Sequence, residues 1–321
     1  MKTFIVLFII FCFSSCEKKE LPAPSYDRGN VSTAQIELSS NYKNQVWFSL
    51  SDDKVVSTNY KTDWDLCFES SATGDHIMLN GSKAMKVYRT NFSSLSQVTD
   101  TIGLGAGSVA DMPSGNLDST AVGEWQTSGK VYIVNKGYSE SGQFLGIIKL
   151  KINSVSSTQY VFEYSDISGT QVFQKSVVKD PDYNFVYFSF SSNHQIAIEP
   201  KKASYDLCFT QYTHLFINPL QYYQVTGVLN NTFNTRIVKL HRINFNDVTI
   251  SDTLAKNFET ARNVVGYDWK TFNFSTNLYT VDPQQVFIIN DSKGFYYKLH
   301  FIDFYNSQGL KGYPTFEFKK L

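Results

Sequence analysis

The chain has 321 residues, and its 29 lysines and arginines balance 29 aspartates and glutamates to a formal charge of zero. That balance excludes a general nucleic-acid binder, which needs a basic face. An aromatic share of 16%, with 20 Tyr and 26 Phe, favours strands over helices, and the length has room for about two domains.

The chain opens with Lys2 and an unbroken apolar run from Phe4 to Phe13. A charged start and an apolar run too short to span a bilayer make a secretory signal over residues 1–15. Ser14-Ser15-Cys16 follows and resembles a bacterial lipobox, with Phe13 where Leu is usual. Cleavage before Cys16 would leave its thiol to take a diacylglycerol. Two or three acyl chains hold a protein firmly, at about 0.8 kcal/mol per buried CH₂. Residues 16–32 then read as a lipidated N-terminus and flexible tether, with Glu17-Lys18-Lys19-Glu20 before Leu21-Pro22-Ala23-Pro24. The charged run resembles the surface-export signal of Bacteroidota lipoproteins, which implies a lipid-anchored protein exposed on the outer membrane.

Past the tether the chain repeats itself. Val46-Trp47-Phe48-Ser49-Leu50 leads through a polar loop to Asp63-Trp64-Asp65-Leu66-Cys67-Phe68. Val186-Tyr187-Phe188-Ser189-Phe190 leads through a loop of nearly equal length to Ser204-Tyr205-Asp206-Leu207-Cys208-Phe209. Asp-Leu-Cys-Phe is identical in the two, which marks an internal duplication. Both copies then place a His four residues before an Asn, as His76 to Asn80 and His214 to Asn218. The tails also match, with strands at 131–134, 146–152 and 160–164 after Trp125, and at 286–289, 296–305 and 313–318 after Trp269. Ile148, Leu150 and Ile152 alternate with Lys149 and Lys151, as Tyr297, Leu299 and Phe301 do with Lys298 and His300. That period of two predicts strands with one buried and one wet face.

The expected architecture is therefore all-β, with two duplicated antiparallel β domains at 33–166 and 167–321. The five glycines between Asp100 and Glu124 predict a long loop, and Gly103-Leu104-Gly105-Ala106-Gly107 precedes no helix that would make it a phosphate cradle. Thr253–Asn263 is the best candidate for the little helix expected. Cys67 and Cys208, each between Leu and Phe, read as small buried hydrophobes. An oxidising compartment permits a disulfide between them, but equivalent positions in two repeats are seldom within bonding range.

His300 and His241 read as wet-face residues and His194 as a loop residue. Trp64 with Tyr205, and Trp47 with Tyr187, read as core aromatics or as walls of a slot for a planar ligand. Asp65 and Asp206, each starting a strand after a loop, read as acceptors for turn amides. Metalloprotease, nucleophile-elbow and paired-carboxylate patterns are absent from the sequence, so nothing in it argues for an enzyme.

The aromatic-Asp-Leu strands, together with Tyr296–Tyr305 and the closing Gly309-Leu310-Lys311-Gly312-Tyr313-Pro314-Thr315-Phe316-Glu317-Phe318, resemble the HmuY family. These are haem-binding lipoproteins of Bacteroidota with an all-β fold. The resemblance covers most of the mature chain. It implies capture of non-covalent b-type haem or a porphyrin for iron acquisition, and transfer to a TonB-dependent receptor of the outer membrane. Axial donors are His nitrogen or Met sulfur, so the candidates are His76, His214, Met78 and Met85, with Trp64, Tyr205 and Trp269 as candidate slot aromatics. In members that use His, one ligand follows a Trp shortly downstream. Here Trp269-Lys270-Thr271-Phe272-Asn273-Phe274 puts Phe274, which has no lone pair, at that place. The alternative expectation is a β-rich surface lipoprotein that kept the fold, lost the haem ligands, and binds another ligand or serves a structural role.

Overall fold

The computed structural model describes residues 29–321, so the predicted leader, Cys16 and most of the tether lie outside the described residues. All-β is the fold class, and among the described residues the one α-helix is the single turn Trp125–Ser128.

Four sheets stack as outer, inner, inner, outer. One inner sheet holds the strands Lys54–Tyr60, Asn44–Ser49, Leu207–Ile217 and Leu220–Asn230, in that spatial order. The other holds Ile77–Leu79, Leu66–Glu69, Phe185–Ser189 and His194–Ile196. Each outer sheet has five antiparallel strands. One runs Ser32–Gln35, Lys311–Lys320, Tyr296–Tyr305, Val286–Asn290, Arg236–Leu240, and the other Val172–Val178, Gln159–Asp166, Ile147–Val155, Val131–Asn135, Lys86–Arg89.

The motif explains the stacking. Side chains alternate across a strand, and here both faces of the motif strands are covered. Leu66 and Phe68 point into one core with Val186 and Phe188, and Leu207 and Phe209 into another with Val46 and Phe48. The residues between them, Cys67, Tyr187, Cys208 and Trp47, point into a third core between the two inner sheets. A strand buried on both faces reads as a continuous apolar run, as both copies of the motif do.

The sequence repeats are not the structural lobes. Val46–Phe48 of the first copy pairs with Leu207–Phe209 of the second, while Val186–Phe188 of the second pairs with Leu66–Phe68 of the first. The two copies exchange their leading strands reciprocally. The exchange extends to the outer sheets, where Ser32–Gln35 pairs with the last strand of the second copy and Val172–Val178 with the last strand of the first. One lobe is the continuous segment 66–196. The other combines 32–60 with 207–320.

Three expectations change. Thr253–Asn263 is not helical: a 3₁₀ turn covers Ile250–Thr253, Ala255 takes a φ of 55°, and Glu259 makes an extended bridge to Ile237. The His-to-Asn spacing does not mark equivalent positions. Asn80 N–H donates to Asp65 O at 2.9 Å, and its structural counterpart is Asn231, whose N–H donates to Asp206 O at 2.9 Å. Both side-chain amides donate to the carbonyl before the motif Asp, Trp64 O and Tyr205 O, at 2.8 Å. Asn218 instead lies in the turn of the long hairpin Leu207–Asn230, which the first copy replaces with the short return from Glu69 to Ile77.

Finally, the wet faces of the outer sheets are partly roofed by 3₁₀ segments. Lys149, Lys298 and His300 are buried. Lys149 Nζ donates to Val98 O, and Lys298 Nζ to Phe245 O and Val248 O, so each lysine satisfies carbonyls of the roof. His300 is not a surface residue: it stacks on Phe245 at 4.3 Å and pairs with Glu317 at 2.9 Å.

Candidate ligand-binding site

The motif aromatics meet in the layer between the inner sheets. Trp47 packs edge-on against Tyr205 at 4.8 Å, and Trp64 against Tyr187 at 4.9 Å, so each pair joins the two copies. Every polar tip has a partner. Trp64 Nε1 donates to Gln45 and Trp47 Nε1 to Asn59. The hydroxyls of Tyr205 and Tyr187 donate to Glu199, at 2.7 and 3.2 Å. Burial raises the Glu199 pKa, and the Tyr205 and Asn184 hydrogen bonds oppose that rise. Such satisfied aromatics are packing elements. Cys67 and Cys208 are free thiols buried in the same layer.

A cleft opens between the inner sheets beside these pairs. Trp64, Met78, Met85, Tyr187, Tyr212 and Arg262 are among its walls. Its volume is about 60 Å³, whereas drug-sized ligands occupy pockets of roughly 300 Å³ or more. Met78 and Met85 therefore share a site with Trp64, but the site as it stands does not take a porphyrin. Asp111, which also lines it, accepts the amides of Leu79 and Ala121, and burial raises its pKa to about 6.

Trp269 is elsewhere. It lies in the core of the 32–60/207–320 lobe, stacked on Phe301 at 3.8 Å, with Lys270 Nζ 4.3 Å from its ring centre. Trp64, Tyr205 and Trp269 do not form one slot.

His214 occupies a different setting. It sits on the long hairpin beyond the stretch that pairs with Val46–Phe48, opposite Tyr223. That outer part of the hairpin has only its own two strands to pair with, and it exposes Ile217 by 83%, Leu220 by 75% and Tyr223 by 56%. The imidazole contacts Phe216 at 4.9 Å and Tyr267 at 5.0 Å, both edge-on. Its Nδ1 is buried without a hydrogen-bond partner. Burial lowers the His214 pKa, against a weaker opposing pull from Asp268, so the ring is uncharged at neutral pH. The short hairpin carrying Phe274, Lys270–Asn273 with Leu278–Val281, is joined to the long one where Lys270 Nζ donates to Thr226 O. Phe274 itself is 85% exposed.

His76 is in the other lobe, on the loop before Ile77–Leu79, with Nδ1 2.6 Å from Glu69. The structure thus brings Met78, Met85 and Trp64 together around one cavity, and neither His76 nor His214 lines it. The sequence reading missed Arg262 and Glu199. Both come from segments outside the repeated signature, so no pattern marked them.

A family model for the HmuY protein matches the chain twice, over residues 41–179 and 182–318. The chain belongs to the HmuY family. The two matches cover most of the two sequence copies, including the inner-sheet strands Asn44–Ser49 and Phe185–Ser189 that the copies exchange.

Among solved structures, apo PinO from Porphyromonas gingivitis is 10% identical over 91% of this chain and 98% of its own, with a TM-score of 0.39. A protein from Bacteroides vulgatus described as HmuY-like and haem-binding is 10% identical over 91% and 95%, with a TM-score of 0.25. The apo HmuY analogue of Tannerella forsythia is 10% identical over 92% and 98%, with a TM-score of 0.27. No curated protein matches the chain.

Proposed function

We propose that this HmuY-family chain is a binding protein for haem or a related porphyrin, held at the cell surface by lipid on Cys16. The observation that carries the reading is His214: an uncharged imidazole with a buried, unpartnered Nδ1, set among aromatic rings on a hairpin whose apolar end faces solvent. Axial ligation of haem iron needs a neutral imidazole, and the macrocycle needs a flat apolar surface. His214 supplies the first, and Phe216, Tyr223 and Tyr267 supply material for the second. Bound iron would bring the ligand-field chemistry, while this chain's residues hold and desolvate the macrocycle. Phe274 on the adjacent hairpin adds apolar area and no donor. Delivery to a TonB-dependent receptor follows from the family resemblance, and the charged run after Cys16 supports display at the outer surface.

The test is a haemin titration of the chain from residue 17 onward, following the Soret band. Saturation at one equivalent is expected, with the shifted band lost in His214→Phe, which keeps the ring packing, and retained in His76→Gln. A wild-type spectrum identical to that of free haemin would overturn the reading. It would favour a protein that kept the fold for another ligand or for a structural role.

A further inference from the structure

His76 faces two carboxylates at once. Its Nδ1 lies 2.6 Å from Glu69 Oε2 and 3.3 Å from Asp75 Oδ1. The three ligand atoms all fall within 4.8 Å of one another. A single proton on Nδ1 serves one of these oxygens well and leaves the other with a poor partner. A cation at the centre would serve all three.

The neighbours of the trio orient it as metal ligands are oriented. Each carboxylate has one oxygen held by a neighbour and the other turned to His76. Ser71 Oγ donates to Glu69 Oε1 at 3.0 Å, and Gln126 Nε2 donates to Asp75 Oδ2. Such outer hydrogen bonds fix the direction of ligating groups. The loop that carries Asp75 and His76 is tied down from three sides. Ser70 Oγ donates to Asp180 O at 2.6 Å, Lys179 Nζ donates to Ser71 O and Gly74 O, and Trp125 Nε1 donates to Asp75 O at 2.7 Å. Gly74 makes the fit possible, because a Cβ there would fall 2.5 Å from Glu69 Cδ. The ligands are thus placed before any ion arrives.

The donor set selects the ion. Zinc binds nitrogen and carboxylate oxygen at about 2.0–2.2 Å in a tetrahedral site, which puts neighbouring ligand atoms roughly 3.3 Å apart. The His76–Asp75 separation of 3.3 Å matches that spacing, while Glu69 at 2.6 Å stands at hydrogen-bond distance and would move back by about 0.7 Å to admit the ion; the imidazole disfavours calcium and magnesium, which take oxygen ligands. All three side chains are partly exposed, so solvent can complete the shell. The adjoining cavity is lined by Asp118 and Glu124 as well as Asp75 and His76, which adds negative potential at the entrance. Lys179 is the nearby cation, and it is spent on loop carbonyls and the Tyr160 ring.

We propose that Glu69, Asp75 and His76 form a site for a divalent first-row transition metal of the zinc type. The site lies in the 66–196 lobe, on a different lobe from His214, and does not rest on the haem reading.

Zinc chloride alone is titrated calorimetrically into the tag-free chain from residue 17 onward at pH 7.5. One saturable equivalent is expected, weakened at least about tenfold in Glu69→Gln and in His76→Gln, and unchanged in His214→Phe. Far-UV circular dichroism without metal checks that the variants are folded. Should either variant misfold, Asp75→Asn carries the same test. The proposal is overturned if the wild type takes up no saturable equivalent, or if folded variants bind zinc as tightly as it does.

Discussion

The carboxylate of Asp206 accepts the backbone N–H of Leu50 at 2.7 Å, across 156 residues of sequence. Asp65 accepts that of Phe190 at the same 2.7 Å, across 125 residues. Each motif Asp thus caps the turn that follows the partner strand from the other copy. The two are alike in geometry and unlike in charge balance. Asp65 is paired with the buried Lys83, whereas at Asp206 the opposition of Asp291 to ionisation outweighs the pull of Lys293.

That difference fixes opposite outcomes for the same substitution. Burial raises the Asp206 pKa from 3.8 to about 6. The folded state therefore holds the proton more tightly than the unfolded one. The stability this contributes is fully present below pH 4 and is lost as pH rises through 6, on the order of 2–3 kcal/mol. Asp206→Asn keeps an oxygen for Leu50 N–H and removes the charge. The variant should match the wild type near pH 4 and gain on it above pH 6. Asp65→Asn strands the Lys83 ammonium and should cost about 3–5 kcal/mol. Urea unfolding of both variants between pH 4 and 8 checks this, and equal effects would refute it.

The reciprocal exchange makes a second prediction. A fragment spanning 33–166 has Leu66–Phe68 without its partner Val186–Phe188, and one spanning 167–321 has Leu207–Phe209 without Val46–Phe48. Each would expose large core aromatics, such as Phe68 in one and Phe209 in the other. Neither fragment should show a cooperative thermal transition alone, and mixing the two should restore one. A sharp transition in either isolated fragment would show that its strands can pair within the copy.

The duplication and the strands were legible because aromatic and β-branched runs with a fixed motif survive in both copies. The exchange was not, since Val-Trp-Phe-Ser carries nothing that says which copy's Asp-Leu-Cys-Phe it joins. Burial of Lys149, Lys298 and His300 was hidden for a related reason: alternation locates a face, but the roof over it comes from loops near Val98 and Phe245. His76 and His214 looked equivalent because both precede an Asn by four residues. Only the hydrogen bonds of Asn80 and Asn231 reveal the true register. The two-sided burial of Cys67 and Cys208 was visible in their flanking Leu and Phe.

Those thiols give the last prediction. Cys67 and Cys208 are each 2% exposed, and burial pushes the Cys208 thiol up to about 12 and that of Cys67 higher still. The thiolate is the reactive form, so at pH 8 a folded protein offers almost none. In the chain from residue 17 onward these are the two cysteines. Ellman's reagent should find no thiol in the native state and two in concentrated guanidinium without reductant. The labelling rate in intermediate denaturant should follow global unfolding, because both side chains lie in the layer shared by the two inner sheets. Fast labelling of one thiol alone would mean that this layer opens independently of the outer cores. Failure to find either thiol after unfolding would mean that they are joined in a disulfide.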